Sequence, residues 1–283
     1  MKIRFLICLV FSISFFTVKA QENFSAVVNV KTEPTDKIDF NETNIGFSFH
    51  KKVSAKNTIT NTLEYSNLKV NYEETVFETF APFKDLNQFN QIQNKIKFSH
   101  EVSDKTKLNI TVTPTVNFQQ NLAISDLTVL GSFELNQQLN PNASITIGAA
   151  RTTAFGDPKF MPVFSFNYKF NEQSDISIGF PDSRISYANN DRNRFSVTNS
   201  FNGNYYNLDT QNDVNYNASK AVLSQMTSAV EYERNVTKNW FLNFKAGYDF
   251  NKKYNLIDND NHKVYDFNTG NGYILGIGIK YKQ

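Results

Sequence analysis

The chain has 283 residues, 29 basic against 27 acidic, with hydrophobic residues at 40% and aromatics at 14%. A mean hydropathy of −0.45 argues against a bundle of helical membrane spans, and so many aromatics argue against disorder. Phe and Tyr spaced by Asn, Thr and Ser make a strand-forming composition rather than a helical one.

The first twenty residues have the pattern of a secretory signal peptide. Lys2 and Arg4 supply the charged start, residues 5–16 the apolar run, and Val18-Lys19-Ala20 the cleavage subsites, with cleavage expected after Ala20. The alternative of a membrane anchor fails on length, and Lys19 follows the run at once. Cys8 lies too early for a lipoprotein site. Cleavage removes this sole cysteine, so the mature chain holds no thiol, disulfide or Cys-ligated metal. Lys2, Arg4 and Lys19 leave as well, so 26 basic residues face 27 acidic and the net charge falls from +2 to −1. A near-neutral exported chain has no electrostatic basis for binding nucleic acid.

From Phe24 onward apolar residues recur at alternate positions. The clearest stripe is Leu108, Ile110, Val112, Pro114, Val116 and Phe118, interleaved with Asn109, Thr111, Thr113, Thr115 and Asn117. Successive side chains of a strand point to opposite faces, so this segment has one apolar face and one hydroxyl and amide face. Further stripes run through Leu127 to Leu135, Pro162 to Phe170, Val222 to Tyr232, Trp240 to Phe250 and Tyr273 to Tyr281. Either a soluble sandwich or a transmembrane barrel buries one face of such strands. Stripes of about ten residues favour the barrel, since soluble strands most often have about five or six. Tyr168, Phe170, Tyr232, Trp240, Phe250, Tyr273 and Tyr281, at stripe ends, fit aromatic girdles.

Short polar turns are expected at 51–57, 102–106, 136–142, 171–174, 190–193 and 235–239. Longer connections alternate with them at 73–88, 119–125, 153–159, 207–221 and 251–270. The expected fold is a transmembrane antiparallel up-and-down β-barrel, one domain over residues 21–283 after a signal peptide at 1–20. It has about fourteen strands, or twelve if the segments 175–180 and 184–189 stay out of the ring. Short turns then face the periplasm of a Gram-negative bacterium and long loops face outward from its outer membrane. Outer-membrane lipid and lipopolysaccharide are the expected surroundings.

At the C-terminus, Gly276, Ile279 and Tyr281 resemble the β-signal read by the outer-membrane barrel-assembly machinery. Ile274 stands where that signal has a polar residue, and Lys282-Gln283 follow the aromatic. In the middle of the chain, Gly148, Phe155-Gly156, Pro162, Tyr168, Phe180-Pro181, Tyr187 and Gly203-Asn204-Tyr205-Tyr206, with the Ala20-Gln21 junction, carry a second likeness. Through them the chain resembles a family of outer-membrane β-barrel proteins of unknown function from Gram-negative, Bacteroidota-type bacteria. The resemblance implies a barrel and a location, and neither catalytic residues nor a ligand.

Residues that carry chemistry are few. His50, His100 and His262 have no metal-ligand spacing, no cofactor is implied, and no enzymatic activity is expected. His100 shares the parity of outward Ile96 and Phe98, whereas His50 has the opposite parity from Phe47 and Phe49. Asp258-Asn259-Asp260-Asn261-His262 resembles half of a calcium loop but lacks its glycine and distant glutamate; a solvated loop tip is the simpler account. Arg151, Arg184, Arg192 and Arg194 fall near strand ends, as pore-constricting or rim residues. The expected pore lining includes Asn109, Thr111, Thr113, Asn117, Arg151, Gln225, Asn243 and Lys245. A passive channel for small polar solutes, weakly selective because its lining is neutral, is the first functional reading. A closed barrel that binds a partner or lipid through its loops is the second.

Overall fold

The computed structural model describes residues 23–73, 86–209 and 218–283. The expected signal peptide and its cleavage site, most of the 73–88 connection and the centre of 207–221 lie outside the described residues.

Alternating sequence produces strands throughout. In chain order they are β1 (Asn23–Pro34), β2 (Ile38–Lys52), β3 (Asn57–Tyr72), β4 (Gln88–Ser103), β5 (Thr106–Phe118), β6 (Leu127–Asn140), β7 (Ala143–Thr152) and β8 (Lys159–Lys169). Then follow β9 (Ser174–Phe180), β10 (Asp182–Asn190), β11 (Asn193–Asn207), β12 (Lys220–Thr237), β13 (Trp240–Ile257), β14 (Lys263–Asp266) and β15 (Gly272–Lys282). Consecutive strands from β1 to β13 pair antiparallel. The ring closes because β15 pairs with both β13, as in Asn243 with Gly278, and β1, as in Asn29 with Gly278. β14 is a short strand lying on β13 outside this ring, so the barrel has fourteen strands. The segments expected at 175–180 and 184–189 are ring members β9 and β10.

Parity fixes the two faces. Val28, Val30, Ile45, Phe47, Ile110, Phe133, Ile147, Phe164, Ile185, Val197, Val230, Ile277 and Ile279 are all exposed on the outside. Thr111, Thr113, Thr115, Asn117, Ser186, Ser196 and Thr227 are buried on the inside. A soluble sandwich would have the reverse arrangement, and so large an exposed apolar band marks contact with lipid. On the outward parity two amides pair with each other, Asn61 Nδ2 donating to Asn94 Oδ1 at 2.8 Å. Trp240 and Tyr281, with ring centroids 5.2 Å apart, lie at the turn end of the wall, and Tyr248 and Tyr273, 5.3 Å apart, towards the loop end.

The alternation of short and long connections breaks in two places. Residues 35–37 join β1 to β2 and Pro181 alone joins β9 to β10, both at the loop end. The expected loop 251–270 begins later than its polar sequence suggests, because β13 continues to Ile257. Asn251, at φ 54°, forms part of a bulge between the pairs Ser224–Lys253 and Met226–Phe250. The extra residue reverses the parity of everything beyond it in β13.

Strand lengths also divide the barrel. β7 to β10 have 10, 11, 7 and 9 residues, against 15, 18 and 18 in β11 to β13. The wall is therefore lower on one side. There the 153–158 connection packs on β11, where a Cβ on Gly203 would overlap the Thr153 carbonyl oxygen and Gly156. Gly156 itself adopts φ +93°, open to glycine and strained for other residues. Phe155 then meets Phe180 and Phe201 at 5.9 and 5.4 Å.

The outward face predicts an asymmetric response to charge. Ile277→Lys, at the middle of β15, is expected to cost about 2–4 kcal/mol. Asn243→Lys, on its inward neighbour strand, should cost well under half of that. Urea unfolding in lipid vesicles measures both, and equal costs would contradict the assignment of faces.

Candidate functional site

The lumen has three layers from the turn end to the loop end. The first is a cavity of about 500 Å³ walled by β1, β2, β10, β11, β12, β13 and β15. Its charged residues face one another between adjacent strands, or across one intervening strand for the last pair, because inward positions lie side by side on the wall. Lys31 Nζ lies 2.8 Å from Glu42, Lys245 Nζ lies 3.2 Å from Glu231, and Lys280 pairs with Glu233. Arg184 and Arg194 also line it, Arg194 reaching Asp175 at 3.2 Å. The lining is thus charged, which corrects the expectation of a neutral one.

The second layer is a buried ion network. Lys252, its side chain 1% exposed, contacts Glu33 and lies 3.3 Å from Asp249. Lys31 joins Glu33 at 2.8 Å, Gln225 Nε2 donates to Glu33 at 3.3 Å, and Thr227 Oγ1 donates to Asp249 at 2.6 Å. Lys252 points inward only because the bulge at Asn251 has shifted its parity.

The third layer is apolar. Phe40, Val70, Phe89, Tyr206, Leu223, Tyr254 and Leu256 project from β2, β3, β4, β11, β12 and β13 into one buried cluster. Phe89 stacks on Tyr206 with centroids at 4.9 Å, and Tyr254 on Phe267 at 4.2 Å. Tyr72 Oη lies 2.9 Å from Tyr254 Oη and donates to the Leu86 carbonyl at 2.9 Å, so both buried hydroxyls are satisfied. Lys252 Nζ sits 4.5 Å above the Phe40 ring, joining this layer to the ions below.

Opposite walls meet here. The end of β11 bridges to the end of β5 through Asn207 and Phe118, bypassing β6 to β10. Asn207 Nδ2 donates to Asp126 Oδ1 at 3.0 Å, the Asp209 N–H donates to Gln119 Oε1 at 3.0 Å, and Asn121 Nδ2 donates to Asp209 Oδ2 at 2.8 Å. The 119–125 connection is therefore tied to the opposite strand. Its Asp126 carboxyl is pushed up by burial despite the hydrogen bonds it accepts.

The residues expected to line a pore divide into four groups. Asn243 and Lys245 line the cavity. Asn109, Thr111, Thr113 and Asn117 point inward but are buried among neighbours, Asn109 accepting from Ser99 Oγ at 2.7 Å and Asn117 from Gln91 Nε2 at 2.7 Å. Gln225 belongs to the ion network. Arg151 is a correction. It pairs across the sheet with Phe160, 82% exposed on the outer face, shares that outward parity, and donates to the Val129 carbonyl. Its strand-end position suggests a pore rim, but Arg151 lies on the same face as Ile147, four residues before it. Lys31, Glu33 and Glu231 were recoverable from parity, since they alternate with Val28, Val30 and Val230.

The histidines occupy separate places. His50 Nδ1 lies 3.0 Å from Thr60 Oγ1, and His100 Nδ1 lies 2.7 Å from Asn57 Oδ1. In the 258–262 turn, backbone N–H groups of His262 and Asp260 each donate to Asp258 Oδ1 at 2.9 Å. The His262 N–H in particular holds the Asp258 carboxyl below its ordinary value, and the carboxylate acts as a turn cap. Gly276, Ile279 and Tyr281 all lie on β15 at the closing seam, Ile279 and Tyr281 facing outward.

A family described as "Domain of unknown function (DUF6268)" matches residues 16–282. No curated protein sequence matches the chain significantly. Among solved structures, the COG4313 outer membrane channel from Pseudomonas putida F1 aligns with a TM-score of 0.51 at 10% identity, covering 93% of this chain and 96% of that one. The NanC porin aligns at 0.45 and 12% identity over 90% of this chain and 98% of its own, and the KdgM porin at 0.39 and 6% over the same shares. The likeness to the Pseudomonas channel is one of fold.

Removing one member of the buried ion network strands its partners. Lys252→Ala is expected to destabilise the barrel by about 3–5 kcal/mol, because Glu33 and Asp249 lose their shared cation. Replacing all three together, as Lys252→Met with Glu33→Gln and Asp249→Asn, should restore most of that loss in the same unfolding assay. A single variant that costs nothing would show that the charges are not buried together.

Proposed function

The chain belongs to the DUF6268 family of unknown function, and from its geometry we propose that it is an outer-membrane channel for small polar solutes, held shut at its loop end in this state. One observation carries this reading. A closed fourteen-strand ring with an apolar outside encloses a charged cavity of about 500 Å³. A barrel of eight strands is filled by its own side chains, while sixteen or more leave an open aqueous lumen. Fourteen lie between, and here the lower storey is hollow while the upper one is filled. The exposed outer band requires lipid, and an exported barrel of this kind has the outer membrane as its destination. Export begins with the signal peptide, and Gly276, Ile279 and Tyr281 on the closing strand are the residues offered to the assembly machinery.

The apolar layer is then the gate. Water and ions cross a dry aromatic constriction only when it widens, since it offers no groups to replace their hydration. Phe40 and Tyr254 occupy its centre, with ring centroids 5.7 Å apart. The same plug favours a second reading, a permanently closed barrel whose loop end binds a partner or lipid.

Planar-bilayer recording of the refolded mature protein separates the two, after heat-modifiable gel mobility has confirmed folding. Brief or absent openings are expected for the intact chain, and long steady openings for Phe40→Ala combined with Tyr254→Ala. A folded double variant that stays silent would refute the channel and leave the closed barrel.

A further inference from the structure

We propose that the lumenal cavity is an oxyanion site, with Arg184 as its specificity-determining residue, and that the solute carries a carboxylate or phosphate group. This inference deepens the channel reading and rests on it for transport, though the binding itself does not require conduction.

The cavity holds more cation than anion. Lys31, Lys245 and Lys280 each meet a glutamate of the same cavity, namely Glu42, Glu231 and Glu233. Arg184 and Arg194 are in excess. Arg194 is answered by Asp175 at the turn end, where the two side chains are 41% and 45% exposed and water screens them. Arg184 has no carboxylate within ion-pair distance among the described residues.

Its side chain is nevertheless fixed. Arg184 Nε donates to Ser186 Oγ at 2.9 Å and to Ser196 Oγ at 3.1 Å, and Nη2 donates to Ser196 Oγ at 2.7 Å. Both serines are buried, at 2% and 4% exposure, and their hydroxyls lie 3.1 Å apart. The guanidinium is thus held on one edge by neutral acceptors while it remains exposed to the cavity. Nη1 and the second hydrogen of Nη2 are left as a preorganised fork. That planar pair of donors matches the two oxygens of a carboxylate or phosphate, and hydroxyl bracing adds no counter-charge, Glu233 acting on the guanidinium only from beyond ion-pair distance. A low-dielectric wall around it concentrates anions at this point. Glu233 does not fill the role, because Lys280 and Lys282 already hold it, the latter at 3.7 Å.

The test has two independent arms. In the first, the refolded protein in detergent is titrated calorimetrically with inorganic phosphate and, separately, with succinate. At least one should bind, with affinity about tenfold weaker in Arg184→Gln and intermediate in Arg184→Lys, which keeps the charge and loses the fork. Arg234→Gln, outside the cavity, should leave it unchanged. A response to one probe alone assigns the oxyanion type. No binding by either, or equal affinity in a folded Arg184→Gln, overturns the site. In the second arm, reversal potentials across the Phe40→Ala/Tyr254→Ala channel in a KCl gradient should show anion preference that falls about threefold on adding Arg184→Gln. Cation preference overturns the site while leaving the channel intact; a silent barrel that still binds through Arg184 overturns the channel and leaves the site.

Discussion

Every backbone N–H and C=O of this chain that meets lipid must find a partner within the protein, because hydrocarbon supplies none. A sheet satisfies that demand only when it has no edge, and the pairing of β15 with both β1 and β13 removes the last one. Closure then dictates the side chains. Alternate residues of every strand must suit lipid, and those between them must suit water or one another. The apolar band through Val30, Ile277 and Phe244 and the charged wall through Lys31, Gly276 and Lys245 are two faces of the same three strands.

That rule leaves the interior free to vary, and the chain uses the freedom twice. Below, inward glutamates and lysines keep neighbouring strands in register without filling the lumen. Above, aromatic and aliphatic residues fill it. The change occurs where β6 to β10 fall away from the ring and β11 leans across to β5. A shorter circuit has less room inside, and side chains of the size of Phe89 and Tyr206 are enough to close it. Burying such residues contributes about 1.5–3 kcal/mol each relative to exposure in water, so the cluster is a stable filling of the loop end.

The fold was legible because the fourteen ring strands alternate and parity needs no knowledge of tertiary structure. Strand count, the turn end and the outward stripe all follow from it. The site was less legible. The bulge at Asn251 hides Lys252, Tyr254 and Leu256, whose inward positions look outward if the parity of Phe244 is carried forward. The junction of Asn207 with Phe118 joins residues 89 positions apart, and nothing local to either announces it. Arg151 differs for the opposite reason: its charge and strand-end position suggest a pore rim, while its own strand parity with Ile147 turns it outward. The polar residues of β5 were placed inward, but four of them serve the wall rather than the cavity.

Lys252 ties these levels together. Its ammonium is shared by Glu33 and Asp249 and lies over the ring of Phe40, in the apolar layer. Widening the plug moves Phe40 and Tyr254 apart, and Tyr254 lies two residues beyond Lys252 on the same strand and face. The lysine cannot follow that movement without leaving two carboxylates behind in a poorly hydrated layer, where an unpaired charge is costly. Water entering through the cavity would reduce that cost from below. The ion layer and the aromatic plug are therefore coupled through one side chain, and the packing of Phe40 and the pairing of Glu33 and Asp249 depend on the same ammonium.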